Sequence, residues 1–214
     1  RKARGRERRG MADELVDAPS SPDPAALLAW REEAMVAMRS ASPPNPGQPV
    51  LSATWHTLRA FGLEPDLLAE FLDSMVMDLT ISRYATWADL RGYMRGSAAV
   101  IGELMAPLLG ATGPQALTRA AALGEAFQLT NFIRDVREDH GRGRIYLPQA
   151  DMARFGVSAD MLAHAVHTSM PSPHVRSLVA FEVRRALSLY AVARPGLKMV
   201  DARSKPWLWG AVTR

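Results

Sequence analysis

Two pairs of aspartates stand four residues apart in this chain, Asp13 with Asp17 and Asp135 with Asp139. Positions four apart stack on one face of a helix. Each pair therefore presents two carboxylates side by side. Asn131 adds an amide oxygen one turn before Asp135, and Gln128 lies close to the same stripe. Such donors suit Mg²⁺, which is held by a few side-chain oxygens, its own waters and substrate phosphates. Two carboxylate walls facing one another would hold several Mg²⁺ ions, and those ions would bind a diphosphate. An acidic face turned to solvent is the competing reading of either pair alone, since like charges at this spacing cost a helix only about 0.2–0.5 kcal/mol per pair. Arg134 and Glu138, also four apart, are expected to form a surface ion pair.

Arg142 and Arg144 follow the second pair in the run Gly141-Arg142-Gly143-Arg144-Ile145-Tyr146-Leu147-Pro148. Guanidinium groups bind phosphate through paired hydrogen bonds. Neutralisation of Glu138 and Asp139 is an equal alternative on charge alone. The glycines here follow no strand and precede no Walker-type lysine, so this is not a P-loop. Tyr93 through Gly102 is rich in small residues, which would let a neighbouring helix or an extended lipid chain approach the backbone. The five histidines show no metal-ligand spacing, and the tryptophans, Trp207 and Trp209 among them, read as core or edge anchors.

The elements that must position these groups are helices. Asp23-Pro24 reads as a cap and first-turn proline opening a helix over 25–39. Pro43–Pro49 breaks the chain, a short helix spans about 50–61, and Pro65 starts another. That third helix carries Leu67, Leu68, Phe71, Leu72, Met75 and Leu79 on one face. Thr86 caps a helix over 87–109 that stops at Gly110 and Gly113. Pro114 leads into the longest run, 115 to about 139. Short pieces follow at about 150–155 and 159–167, then a helix over 175–193. No alternating strand pattern appears. The expected fold is all-α, an antiparallel helical array around a central core or cavity.

Composition narrows the classes further. The 214 residues are 48% hydrophobic and 22% charged, ordinary values for one globular domain. The formal net charge is +4, yet the first ten residues hold six basic side chains against Glu7 alone. The remainder is therefore close to neutral, and the basic character belongs to residues 1–10, a tail read as solvated. No nucleic-acid partner is expected. With no cysteine, disulfides, thiolate zinc sites and cysteine nucleophiles are excluded. The longest apolar region, 96–111, is interrupted by Glu103 and is too short to span a bilayer.

Tyr93 through Leu108 resembles the first signature of squalene and phytoene synthases. Leu123-Gly124 through Gln128, Asn131, Arg134-Asp135, Asp139 and Arg144-Ile145-Tyr146-Leu147-Pro148 resembles the second. Asp13-Glu14-Leu15-Val16-Asp17 resembles the family's first aspartate motif, and Met77-Asp78 and Arg83-Tyr84 also fit. The wording of 134–139, 77–80 and 96–102 most resembles bacterial phytoene synthases. Relatives carry more sequence before the first aspartates and after residue 214. Residues 11–214 are therefore expected to form an isoprenoid-synthase helical bundle around a central cavity, incomplete at both ends.

The resemblance implies head-to-head condensation of two geranylgeranyl diphosphates, through a cyclopropyl diphosphate, to phytoene in carotenoid biosynthesis. Squalene or dehydrosqualene synthesis from farnesyl diphosphate is the nearest alternative, and an inactive fragment or assembly module with the same fold is another. Asp13, Asp17, Asp135 and Asp139, helped by Asn131, would bind Mg²⁺, with Mn²⁺ as a substitute and no need of NADPH. Tyr93, Gln128 and Arg134 would line the diphosphate region or channel, with Arg144 on phosphate. A cytoplasmic protein in peripheral contact with a membrane is expected. The oligomeric state is open.

Overall fold

The computed structural model describes residues 24–45 and 47–206. The basic tail, Asp13, Asp17, Trp207 and Trp209 lie outside the described residues. The chain packs as two compact units, one running through Thr80 and one from Ile81 onward.

Among the described residues of the first unit, each of three helices opens at a proline. The helices are α1 (Pro24–Arg39), α2 (Pro49–Phe61) and α3 (Pro65–Met77), and α2 and α3 each carry proline in the first turn, where the missing N–H costs no helical hydrogen bond. α2 ends at Gly62, whose φ of 60° is left-handed. Its N–H donates to Arg59, and the Leu63 N–H returns to Leu58. Such a reversal favours glycine. Leu27 and Met75 are buried together, with Trp30, Phe71, Val76 and Leu79 packed around them. Arg31 ties α1 to α3 through Asp73 at 2.6 Å.

The second unit contains every described residue of the candidate site. Thr86 caps α4 (Trp87–Met94) in a reciprocal box. The Asp89 N–H donates to the Thr86 hydroxyl at 3.2 Å, and the Thr86 N–H donates to the Asp89 carboxylate at 2.8 Å. The rod then widens into a π-helical segment, Arg95–Ala99, where the Val100 N–H reaches five residues back to Arg95. It resumes as α5 (Val100–Leu108). A single uninterrupted α-helix was the expectation over this stretch. A π segment has no simple compositional signature, and such segments often sit at functional sites.

α6 (Pro114–Arg134) returns alongside α5, and the two approach closely at two glycines. A side-chain carbon on Gly102 would meet the Ala120 carbonyl, and one on Gly124 would meet the Ala98 carbonyl. The small-residue run thus serves helix packing. α7 (Val136–Gly141), α8 (Gln149–Arg154), α9 (Ala159–Thr168) and α10 (Pro173–Ala193) follow, with a 3₁₀ turn at Arg194–Lys198. α10 lies along α6. Ile145, Leu147, Met152, Leu162, Val175 and Leu178 form the core beneath α8 to α10.

Among the described residues the only ladder-like contact is one parallel bridge, Arg83 with Ile145. Around it, Ile145 donates to Ser82 at 3.0 Å and Gln149 to Tyr84 at 2.9 Å. These bonds lay the segment after α7 against the segment before α4. No helix among the described residues is long and apolar enough to cross a membrane.

Candidate active site

The acidic stripe lies at the junction of α6 and α7. The run expected to be one helix to about Asp139 is interrupted at Asp135, where φ is −97° and ψ is 13°. Spacing is nonetheless kept: the Asp135 N–H donates to Asn131 at 2.8 Å, and the Asp139 N–H to Asp135 at 2.9 Å. Asn131, Asp135 and Asp139 therefore remain one turn apart along one line.

The interruption redirects Arg134. Neighbouring residues on a regular helix do not face each other, but Asp135 has left helical geometry. Arg134 forks onto its carboxylate at 2.6 and 2.7 Å, while Glu138 takes Arg142 at 2.8 Å. The expected Arg134–Glu138 pair is thus replaced by two others. The guanidinium hydrogen bond holds the Asp135 carboxyl below its usual range, and Arg134 is raised in return.

Asp139 behaves oppositely. Burial, and then the charge of Asp135, push its carboxyl up to about 6, against the pull of Arg142 and Arg144. The Arg144 N–H folds back to the Asp139 carbonyl at 2.9 Å. Asp139 and Arg144 line one small hollow of about 10 Å³ with Phe132, Tyr146 and Leu162.

Behind this hollow four aromatic rings form a block. Phe132 and Tyr146 stack with centres 4.0 Å apart, Tyr146 lies 5.8 Å from Tyr93, and Tyr84 lies 5.3 Å from Tyr93. Tyr93 is buried within the block. Phe132 escapes a reading based on acidic spacing, because it sits on α6 between Asn131 and Asp135 but faces the rings. Its position one residue past Asn131 in an otherwise polar stripe is the available signal.

Gln128 lies elsewhere. It lines a cavity of about 380 Å³, walled by α5, α6 and the 3₁₀ turn and almost wholly apolar. Ser97, Ile101 and Met105 come from the rod, and Leu123, Gly124 and Phe127 from α6. Gln128 is one turn from Asn131, so the cavity wall along α6 ends where the acidic stripe, crossing into α7, begins.

Two ion pairs or clusters, each with a buried carboxylate, hold the frame. Arg91 of α4 meets buried Glu125 of α6 at 3.2 Å. Arg185 of α10 bridges Asp151 of α8 and Glu182, each at 2.8 Å, and lies over the Trp87 ring at 4.3 Å. Glu182 has no exposed surface. Desolvation pushes its carboxyl up to about 7, opposed by Arg185 and reinforced by Asp151.

Comparison with known proteins bears on the fold and the family. The squalene/phytoene synthase family model matches residues 10–213. A 15-cis-phytoene synthase of Synechococcus elongatus is 32% identical over 211 residues, 91% of this chain and 66% of that protein. A phytoene synthase of Arthrospira platensis is also 32% identical, covering 94% of this chain and 67% of its own. For the chloroplastic phytoene synthase 1 of Arabidopsis thaliana the figures are 31%, 94% and 47%. The chain thus spans about two thirds of the cyanobacterial relatives and about half of the plant one. Among solved structures, squalene synthase HpnC from Alicyclobacillus acidocaldarius superposes with a TM-score of 0.82 at 27% identity, covering 94% of this chain and 74% of that one. A dehydrosqualene synthase in complex with ligand gives 0.83 at 28%, covering 94% and 68%. With an all-α fold and a family match over nearly its whole length, this chain belongs to the squalene/phytoene synthase family.

Proposed function

We propose that the protein condenses two geranylgeranyl diphosphates head to head, through a cyclopropyl diphosphate, to phytoene. The observation that carries this reading is an apolar wall along α6 that reaches Gln128, followed one turn later by the acidic stripe of Asn131, Asp135 and Asp139 across the α6–α7 junction. A prenyl diphosphate has the same two halves. Identity to phytoene synthases supports the longer substrate.

Among the described residues no three His, Asp or Glu side chains converge to hold a metal by themselves. Mg²⁺ does not need them to, because it keeps waters and binds substrate phosphates. The donor set fits: Asp139 is a half-buried carboxylate beside a second negative charge, and a cation would relieve both burdens. Among the described residues, Asp135, Asp139 and Asn131 would hold the ion. Bound there, Mg²⁺ supplies charge stabilisation for the departing diphosphate.

The chain's own residues do the rest. Arg144, whose backbone N–H bonds the Asp139 carbonyl, would donate its guanidinium to phosphate oxygens. The apolar wall keeps water from the allylic cation that is left when diphosphate departs, so the double bond of the second substrate is its nearest nucleophile. The aromatic block seals the side of the acidic stripe facing the core. Peripheral contact with a membrane would receive so apolar a product.

Incubation with Mg²⁺ and geranylgeranyl diphosphate, followed by hydrocarbon extraction, tests the reading. Phytoene, lost when a chelator is added, is the expected result, and no hydrocarbon from any prenyl diphosphate would refute it. Squalene or dehydrosqualene from farnesyl diphosphate is the second reading, favoured by the likeness to those two synthase structures.

A further inference from the structure

Ser97 puts a hydroxyl into the wall of the almost wholly apolar cavity. Its oxygen is buried, and it has no hydrogen-bond partner among the described residues. Elsewhere in the helices a hydroxyl donates to the carbonyl four residues back, as Thr118, Thr130, Ser177 and Ser188 do at 2.8–3.0 Å. Ser97 lies in the π segment Arg95–Ala99 and makes no such bond in that wider turn. The other polar groups of the lining are Gln128, at the end nearest the acidic stripe, and Arg119 and Arg194, at the 3₁₀ turn.

Helix contacts fix the level of Ser97. A side-chain carbon on Gly124 would meet the Ala98 carbonyl, so Ser97 stands opposite the turn of α6 from Gly124 to Gln128. That turn lies about 4.5–10 Å of helix rise before Asn131. Under the proposed prenyl-diphosphate reading the diphosphate sits at the stripe, and two extended prenyl units reach about 10 Å from it. The diphosphate itself takes up part of the distance, so the allylic carbons of the first unit fall at the level of Ser97.

A buried hydroxyl that faces only hydrocarbon destabilises its site, because its bonds to water are lost and not replaced. It becomes favourable when charge forms beside it. In this cavity the charged species is the allylic cation left when diphosphate departs. An oxygen lone pair already held in surroundings of low polarity stabilises that charge without reorganising. We propose that the Ser97 hydroxyl oxygen faces this cation and stabilises it, so that Ser97 assists ionisation and adds nothing to the binding of the neutral chain. The proposal rests on the prenyl-diphosphate reading, and it concerns a residue outside the acidic stripe.

Two ligands of equal shape test it. One is a geranylgeranyl analogue with a sulfonium sulfur in place of the third carbon, and the other has a neutral carbon there. Each is titrated calorimetrically with Mg²⁺ and inorganic diphosphate present. The sulfonium carries positive charge and no proton, and neither ligand turns over. Wild type should favour the sulfonium. Ser97→Ala should narrow that preference by on the order of tenfold and leave the neutral ligand within about twofold. Ser97→Cys, of similar shape and weaker dipole, should fall between. Because Ser97→Ala breaks no hydrogen bond, it should melt no lower than wild type, and the cysteine variant decides the matter if alanine does not fold. A folded variant that keeps the wild-type preference, as a hydroxyl that merely holds a water would, overturns the proposal and leaves the prenyl-diphosphate reading standing. Equal weakening of both ligands, or equal binding of both by wild type, does the same. If wild type binds neither ligand, both fall.

Discussion

Phe132 and Tyr146 lie ring on ring, with centres 4.0 Å apart and planes 9° from parallel. Through this stack the segment after α7 is fastened to α6 at the residue that follows Asn131. The same segment is bonded to the chain before α4 by Ile145 and Gln149. The acidic stripe therefore has a rigid back, and Arg144 is delivered to Asp139 by a strand-like segment anchored on two sides.

Truncating Phe132 should consequently do more than open a hole. Phe132→Ala is expected to cost about 3–5 kcal/mol of stability, the usual range for a buried ring. Denaturant unfolding measures this. Phe132→Tyr, which keeps the stack, should lose far less.

Asp139 should trade stability against function. Its carboxyl pKa is raised by burial and by Asp135, so the folded protein binds a proton there more tightly than the unfolded chain does. That charge is a burden above about pH 6. In chelator-treated protein at neutral pH, Asp139→Asn should melt no lower than wild type, and higher if the burden is fully relieved. Its kcat/KM for prenyl diphosphate should fall on the order of 10²-fold or more, as when a group facing developing charge is lost. Melting curves on the chelator-treated protein and steady-state kinetics once Mg²⁺ is restored check both signs.

Glu182 makes stability depend on pH. Its folded pKa, about 7, lies above the ordinary value of 4.5. Between those values the folded state holds a proton that the unfolded chain has released. The contribution of Glu182 to stability is therefore greatest below about 4.5 and declines as pH rises toward 7. Glu182→Gln keeps a partner for Arg185 without the second charge. It should flatten this contribution, which melting temperatures across pH 4.5–8 would reveal as a smaller slope.

Gly124 is a packing requirement. Its missing side chain is what lets α6 touch the Ala98 backbone. Gly124→Ala should destabilise by about 1–3 kcal/mol, the cost of overpacking, despite alanine's better helix propensity. Gly141, with open space around it, is the control: Gly141→Ala should be near neutral.

Helix starts were readable because proline and threonine announce them locally. Thr86, Pro49, Pro65 and Pro114 all stand where a helix begins. The acidic stripe was readable from spacing, and it survived an interruption that spacing alone does not reveal. Helix-favouring residues continue through Asp135, and the turn there leaves no trace in composition. Arg134 found the wrong expected partner for that reason. The cavity was illegible because its wall is shared by α5, α6 and the 3₁₀ turn, which lie far apart in the chain. Glu182 reads as an ordinary helical surface residue until Asp151, 31 positions earlier, is seen beside the same arginine.

The π segment at Arg95–Ala99 gives the long rod two independent phases. Upstream, Tyr93 is aimed at the aromatic block; downstream, Ile101 and Met105 are aimed at the cavity. Removing a single residue from this wide turn would restore a uniform spiral and swing every later side chain by about 100°. The rings behind the polar end and the wall around the hydrocarbon could then no longer be served by one rod. That one extra residue works as a mechanical coupling, letting each half of the rod be aimed at its own target.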